Sequence, residues 1–385
     1  MNQKIHRGPV SLYLHFPFCE RKCRYCDFLS GPACAEEREE YIDLLCREIR
    51  LRAPEVSGPV DTIFIGGGTP SLMTPSQACR VMEAIFRSYS VMDDAEISME
   101  VNPGTADAEK LRAYRFAGIN RLSIGVQSFD DAELRLLGRI HTAGQARQIF
   151  QMARAAGFSN INLDLMSALP GQNIETWTRT LCEAVSLRPE HLSAYSLIIE
   201  EGTPFATMKL PDLPSEDEDR EIYHFTKRFL SENGYRRYEI SNYAREGYEC
   251  RHNCGYWTGH EYLGLGLGAS SDLGGERFRN PDQIASYRTI IENEDTAALR
   301  CEKQKMTKED RMEEFMFLGL RMTDGVSERE FEERFGKKLE DQFGSVLRRH
   351  ISQNLICRIP KDGGRLALTE YGMDVANYVM SDYLL

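Results

Sequence analysis

Three cysteines fall within one short stretch, Phe18-Cys19-Glu20-Arg21-Lys22-Cys23-Arg24-Tyr25-Cys26-Asp27-Phe28, at C-x3-C-x2-C spacing. Thiolate is a soft ligand suited to iron–sulfur clusters and to zinc. Structural zinc and most electron-transfer clusters take four protein ligands, and this motif offers three. Cys34 is the nearest candidate for a fourth, but it lies beyond Gly31-Pro32 in a different spacing. Three thiolates on a four-iron cluster would leave one iron open to a small molecule. Phe18, Tyr25 and Phe28 would shield such a cluster and help set its potential. Three unrelated buried cysteines would not be interleaved with charges in this way.

Two further stretches could do chemistry. Gly66-Gly67-Gly68-Thr69-Pro70 would let a backbone approach a ligand closely. A Walker-type phosphate grip is excluded because no Lys-Ser/Thr follows. Cys250-Arg251-His252-Asn253-Cys254-Gly255-Tyr256-Trp257 places soft ligands beside two aromatics. His252 could ligate a heme iron and Tyr256 and Trp257 could pack on a porphyrin. Cys250 and Cys254 are alternative ligands, or C-x-H-x-C is half of a zinc site. A structural loop is the competing reading, with Trp257 as core, His252 hydrogen-bonded, and Gly264, Gly266 and Gly268 making a close turn. Cys46, Cys79, Cys182, Cys301 and Cys357 stand alone and are expected to be buried filler.

The elements that must position these residues follow an alternating pattern. Apolar, β-branched runs predict strands at Val10–Phe16, Asp61–Ile65, Glu96–Val101, Arg121–Val126, Asn160–Met166 and His191–Leu197, with a later one at Arg237–Ile240. Amphipathic stretches between them predict helices over Glu36–Ala53, Pro75–Ser90, Ala106–Ala117, Asp130–Leu137, Gly144–Ala156, Ile174–Leu187 and Glu216–Asn233. Such units imply a parallel sheet, as a partial (β/α) barrel or an open doubly wound sheet. The polar and glycine-rich residues fall just after the strands, where both architectures hold their sites. Cys250–Gly275 shows no clear helix. Beyond Asn280 the chain turns helical, best over Met306–Met322 and Ser327–Phe343, with a hairpin at Cys357–Leu368. The expected division is residues 1–245, a connecting segment 246–280, and a small helical domain 281–385.

The chain has 385 residues and a formal net charge of −12, which argues against a broadly nucleic-acid-binding surface. No apolar run of signal-peptide or membrane-spanning type is present, so a cytoplasmic protein is expected. Eleven cysteines, an odd number, do not suggest a disulfide framework.

C-x3-C-x2-C after the first strand of a β/α chain resembles the signature of the radical S-adenosylmethionine superfamily. The motifs SMEVNP (98–103), SIGVQSF (123–129), LGRIH (137–141) and DLMSALPGQ (164–172) resemble, in order, the oxygen-independent coproporphyrinogen III oxidase family. That family includes HemN and the related HemW heme chaperones, and the resemblance covers nearly the whole chain. It implies a partial TIM-like barrel with a mainly helical C-terminal domain. It also implies a 4Fe–4S cluster on Cys19, Cys23 and Cys26, with S-adenosylmethionine chelating the open iron. Gly67, Gly68 and Thr69 would face the cofactor's methionine end and Glu100 would add a polar contact. Gln127 and Asp164 would bond the ribose, Arg139 would pair the carboxylate, and Tyr13 and Tyr25 would lie alongside.

Within the family, three features separate this chain from the decarboxylase. Phe28 stands where that enzyme carries a further cysteine, only 18 residues precede Cys19, and His252–Trp257 spells H-N-x-x-Y-W, as in HemW-type chaperones. The implied cargo is heme, held near His252, Tyr256 and Trp257. The implied partners are heme-accepting proteins, with the membrane surface as one place to find them, and a one-electron donor, but no nucleic acid. A porphyrinogen decarboxylase, or another radical enzyme acting on a porphyrin, is the alternative, so enzymatic activity stays open.

Overall fold

A computed structural model describes residues 8–361 and 363–384. Six strands lie side by side in sequence order, each parallel to the next: β1 (Val10–Phe16), β2 (Val60–Gly67), β3 (Val91–Val101), β4 (Arg121–Gln127), β5 (Ile161–Ser167) and β6 (His191–Ser196). The helices between them are α1 (Ala35–Arg52), α2 (Pro75–Ser88), α3 (Ala108–Phe116), α4 (Asp131–Leu137), α5 (Ala143–Ala155) and α6 (Ile174–Ser186). Their starts are chemically marked. Thr74 with Gln77 and Thr142 with Gln145 form reciprocal capping boxes that satisfy otherwise orphaned amides. Alternate residues of the strands are apolar and pack into the core, while those between them include polar groups such as Glu100, Ser123, Gln127 and Asp164. Leu12, Leu14, Ile63, Met99, Leu122, Ile124 and Leu163 all belong to one core.

After β6 come the single turn α7 (Pro204–Thr207) and α8 (Glu216–Glu232). Two short strands, β7 (Arg236–Arg237) and β8 (Asn242–Ala244), extend the β6 edge antiparallel. The predicted strand Arg237–Ile240 therefore ends at Arg237. The region expected to lack a helix contains α9 (Arg251–Trp257). It then supplies β9 (Tyr262–Leu265), which pairs parallel with β1, and β10 (Ser270–Leu273). β11 (Glu276–Arg279), α10 (Ile284–Glu292) and β12 (Cys301–Lys305) complete this edge. The result is one open sheet whose outer strands are β12 and β7.

The remaining elements are α11 (Lys308–Gly319), β13 (Val326–Ser327), α12 (Glu328–Phe335), α13 (Leu339–Ser352), β14 (Ile356–Ile359), β15 (Arg365–Leu368), α14 (Glu370–Asp374) and α15 (Ala376–Ser381). They surround a second core built on Met312, Met316, Phe331, Phe343 and Tyr383. The expected helix Ser327–Phe343 is two helices, because Gly336 at φ 62° caps the first in the left-handed region. The lone cysteines are not uniformly buried. Cys46 is, but Cys79 and Cys301 are half-buried and Cys182 and Cys357 are exposed, on the outer face of α6 and on β14. No helix among the described residues is long and apolar enough to cross a membrane.

Candidate functional site

Alternate residues of the six strands line a cavity of about 600 Å³: Tyr13 of β1, Phe64 of β2, Glu100 of β3, Ser123 and Gln127 of β4, Asp164 of β5 and Tyr195 of β6. Cys19, Cys23 and Cys26 line it too, from the loop that follows β1. So do Tyr25, Gly67, Gly68, Thr69 and Arg139, so every residue assigned to the cluster or to S-adenosylmethionine faces one space.

The cysteine loop is tied down at several points. Cys19 N donates to Gly31 O at 2.9 Å and Gly31 N to Pro17 O at 3.0 Å, closing the loop's base. Arg24 N donates to Leu137 O at 3.0 Å, binding the middle to the end of α4. His15 Nε2 donates to Leu29 O at 2.9 Å, so its Nδ1 is left to accept from Tyr13 OH at 2.9 Å. The glycine turn beyond β2 packs against this loop. A Cβ on Gly68 would come within 2.6 Å of Phe18 O, and Gly67 takes φ 113°. Only glycine fits both demands.

Each cysteine sulfur has a donor in reach. Thr69 Oγ1 lies 3.4 Å from Cys19 Sγ and Arg139 Nη1 lies 3.6 Å from Cys23 Sγ. The Phe28 amide serves Cys26, though burial still raises that thiol's pKa. Cys34 is elsewhere: exposed, it caps α1 by accepting from Glu37 N at 3.5 Å, and it does not line the cavity. No trio of His, Cys, Asp or Glu among the described residues converges on the position of a single ion. A four-iron cluster takes its thiolates on separate irons, so three non-convergent, donor-supported sulfurs around one cavity fit it.

The carboxylates opposite are unusual. Glu100 is raised to about 8 by burial and by the charge of Asp164, even though its Oε2 accepts from Gly67 N at 3.0 Å. Burial raises Asp164 as well, while Asn162 Nδ2 at 2.7 Å and Ser123 Oγ at 3.0 Å favour its anion. Gln127 sits at φ 67°, a costly conformation for a non-glycine residue, and Tyr195 OH donates to its Oε1 at 2.9 Å. Tyr195 and His15 are site residues that sequence reasoning did not single out. Asn102 was noted only as part of an Asn-Pro pair closing a strand, with no role given to it.

His252 and Tyr256 line the same cavity from below, but Trp257 does not. Trp257 borders a separate cleft of about 490 Å³ facing α11, with the Arg321 guanidinium 4.3 Å from its ring centre. His252 is 1% exposed and stacks on Phe64. Thr62 Oγ1 donates to Ser11 Oγ at 2.8 Å, so it accepts from His252 Nδ1 at 2.8 Å. His252 Nε2 then accepts from Tyr256 OH at 2.9 Å. Burial lowers this imidazole's pKa to about 3, so it is neutral with both nitrogens engaged. Trp257 therefore stands apart from His252, while Tyr256 borders both spaces.

An open β/α sheet with a three-cysteine loop after its first strand defines a radical S-adenosylmethionine protein. The description "Radical SAM superfamily" matches residues 13–182 and "HemN C-terminal domain" matches residues 306–375. A Bacillus subtilis protein named "Heme chaperone HemW" is 37% identical over 379 residues, covering 97% of this chain and 99% of that one. The mouse "Radical S-adenosyl methionine domain-containing protein 1, mitochondrial" is 36% identical, covering 84% of this chain and 76% of its own. Among solved structures, the coproporphyrinogen III oxidase HemN of Escherichia coli, described as a Radical SAM enzyme, superposes with a TM-score of 0.85 at 25% identity, covering 98% of this chain and 91% of that one. The chain belongs to the HemW family.

Proposed function

We propose that this protein is a cytoplasmic heme chaperone that binds heme and hands it to acceptor hemoproteins, while carrying a 4Fe–4S cluster and binding S-adenosylmethionine. The observation that carries the reading is near-complete coverage by a relative named for heme chaperoning. The open cavity supports the cofactor half. Cys19, Cys23 and Cys26 would hold the cluster. Arg139 would pair the cofactor carboxylate through its charge, its Nη2 already donating to Asn102 Oδ1 and Gly125 O, and Gln127 and Asp164 would take the ribose hydroxyls. Glu100, Tyr13, Tyr25 and Gly67–Thr69 would enclose the methionine end. Such a cluster supplies one electron to a bound sulfonium; the chain itself contributes orientation and exclusion of water.

For heme, Trp257 and Tyr256 offer aromatic surface along the α11 cleft. His252 could ligate iron only after parting from Tyr256 OH. A porphyrinogen decarboxylase is the second reading, favoured by the HemN superposition and disfavoured by Phe28, which is 59% exposed at the cavity rim where a cysteine would be needed. Anaerobic protein with its cluster rebuilt decides between them, by heme titration beside an assay for coproporphyrinogen III consumption. Saturable heme uptake without consumption is expected. Product formed per S-adenosylmethionine spent, with no heme uptake, would replace the chaperone with the enzyme.

A further inference from the structure

One chain of hydrogen bonds across the cavity has a direction dictated by chemistry alone. Arg139 can only donate, so the Asn102 atom 2.6 Å from its Nη2 is the carbonyl Oδ1. The other amide atom, Nδ2, then faces Thr69 and donates to Oγ1 at 2.9 Å. A threonine hydroxyl has one hydrogen. With an N–H already aimed at its oxygen, that hydrogen turns to the remaining acceptor in reach, Cys19 Sγ at 3.4 Å. Thr69 is 3% exposed, so bulk water does not compete. The guanidinium that anchors this chain also points Nη1 at Cys23 Sγ, 3.6 Å away. Asn102 itself is held in place: its backbone N–H donates to Ser71 Oγ at 3.1 Å, and the following Pro103 confines its backbone.

We infer that Asn102 is a positioning residue that orients the hydrogen-bond donors on two of the three proposed cluster thiolates, Cys19 through Thr69 and Cys23 through Arg139, and so sets the cluster's reduction potential. Donors on cluster sulfurs stabilise the more electron-rich, reduced state, which raises the potential. Asn102 need not touch iron or S-adenosylmethionine to do this. The inference rests on the cluster assignment above, but not on heme.

The test is a redox titration of anaerobically rebuilt protein without S-adenosylmethionine, with iron content measured in parallel. Asn102→Asp and Thr69→Val should each move the midpoint to more negative potential at wild-type iron content, and Thr69→Ser should leave it in place. In Asn102→Asp the carboxylate accepts the Thr69 hydrogen and draws it off Cys19, so adding Thr69→Val should move the midpoint no further. A midpoint unchanged by Asn102→Asp, or additive shifts in the double variant, would overturn the inference while leaving the cluster reading intact. Should Asn102→Asp fail to take up iron, Asn102→Leu, which removes the Arg139 anchor and the N–H on Thr69 together, should lower the midpoint, and an unchanged midpoint there counts against the relay. A wild-type protein that takes up no cluster removes both the relay and the reading beneath it.

Discussion

Two segments of this protein look alike as strings of soft ligands, and the fold treats them oppositely. In the loop after β1, the sulfurs of Cys19, Cys23 and Cys26 face a cavity and meet single donors. In α9, Cys250 and His252 are buried and spoken for. Glu96 on β3 accepts from the amides of Arg251 at 3.0 Å and His252 at 3.2 Å and from Cys250 Sγ at 3.5 Å, so the helix start plugs the barrel floor. Residue type is therefore a poor guide to ligation; whether lone pairs are already occupied decides it.

The most severe way to break this comparison is to remove the sulfurs. Cys19→Ala, Cys23→Ala and Cys26→Ala should each abolish the rebuilt cluster, measured as iron and sulfide per chain. Cys34→Ala, Cys250→Ala and Cys254→Ala should retain it. Cluster loss in Cys34→Ala would show that the open-iron picture is wrong.

A smaller effect is expected one step out. Arg139→Ala and Asp164→Ala, with the cluster kept, should each weaken S-adenosylmethionine binding by about 1.5–3 kcal/mol, the worth of a charge-assisted hydrogen bond. Anaerobic calorimetry reads this directly, and unchanged affinity in both would empty the site of its assigned contacts.

The floor should respond in stability instead. His252→Leu strands the hydroxyls of Thr62 and Tyr256 and should cost about 1–3 kcal/mol in denaturant unfolding, with iron content unchanged. If the variant were fully stable and instead altered the ligand field of bound heme, α9 would have to open when loaded, and the contrast between the two segments would fail.

The mildest expectation concerns pH. Glu100, raised to about 8 by burial and the charge of Asp164, should release a proton when the cofactor's sulfonium cation arrives. Cofactor affinity should then climb with pH up to that value, by at most about tenfold per unit for one proton, and level off above it. Glu100→Gln should flatten the slope; an equal slope in that variant would assign the proton elsewhere.

Much of the barrel was legible in the sequence. Strands β1 to β6 each carry apolar residues at alternate positions, and their boundaries shift by only a few residues from the expected ones, apart from the early start of β3. Gln127 and the glycine turn were visible because they close strands; Tyr13, Tyr25, Glu100, Arg139 and Asp164 were found through the family resemblance. Region 250–280 was not legible for a physical reason. α9 has seven residues with Gly255 inside it, and its start is satisfied by Glu96, 155 positions earlier in the chain from Arg251. Neither periodicity nor a local cap announces such a helix. The role of Asn102 escaped for a similar reason, since it lies in which way the side-chain amide faces.

The parallel pairing of β9 with β1 carries a consequence for how the protein is made. Gly266 and Gly268 form the back wall of the cysteine loop: a Cβ on Gly268 would come within 2.4 Å of the Leu29 side chain, and one on Gly266 within 2.6 Å of His15 O. That wall is synthesised some two hundred and forty residues after Cys26. A ribosome-bound chain that has emerged only through β6 has its thiolates but no support behind them. Cluster uptake on the proposed ligands should therefore wait until β9 has been made, and stalled chains ending before Gly264 should bind no iron.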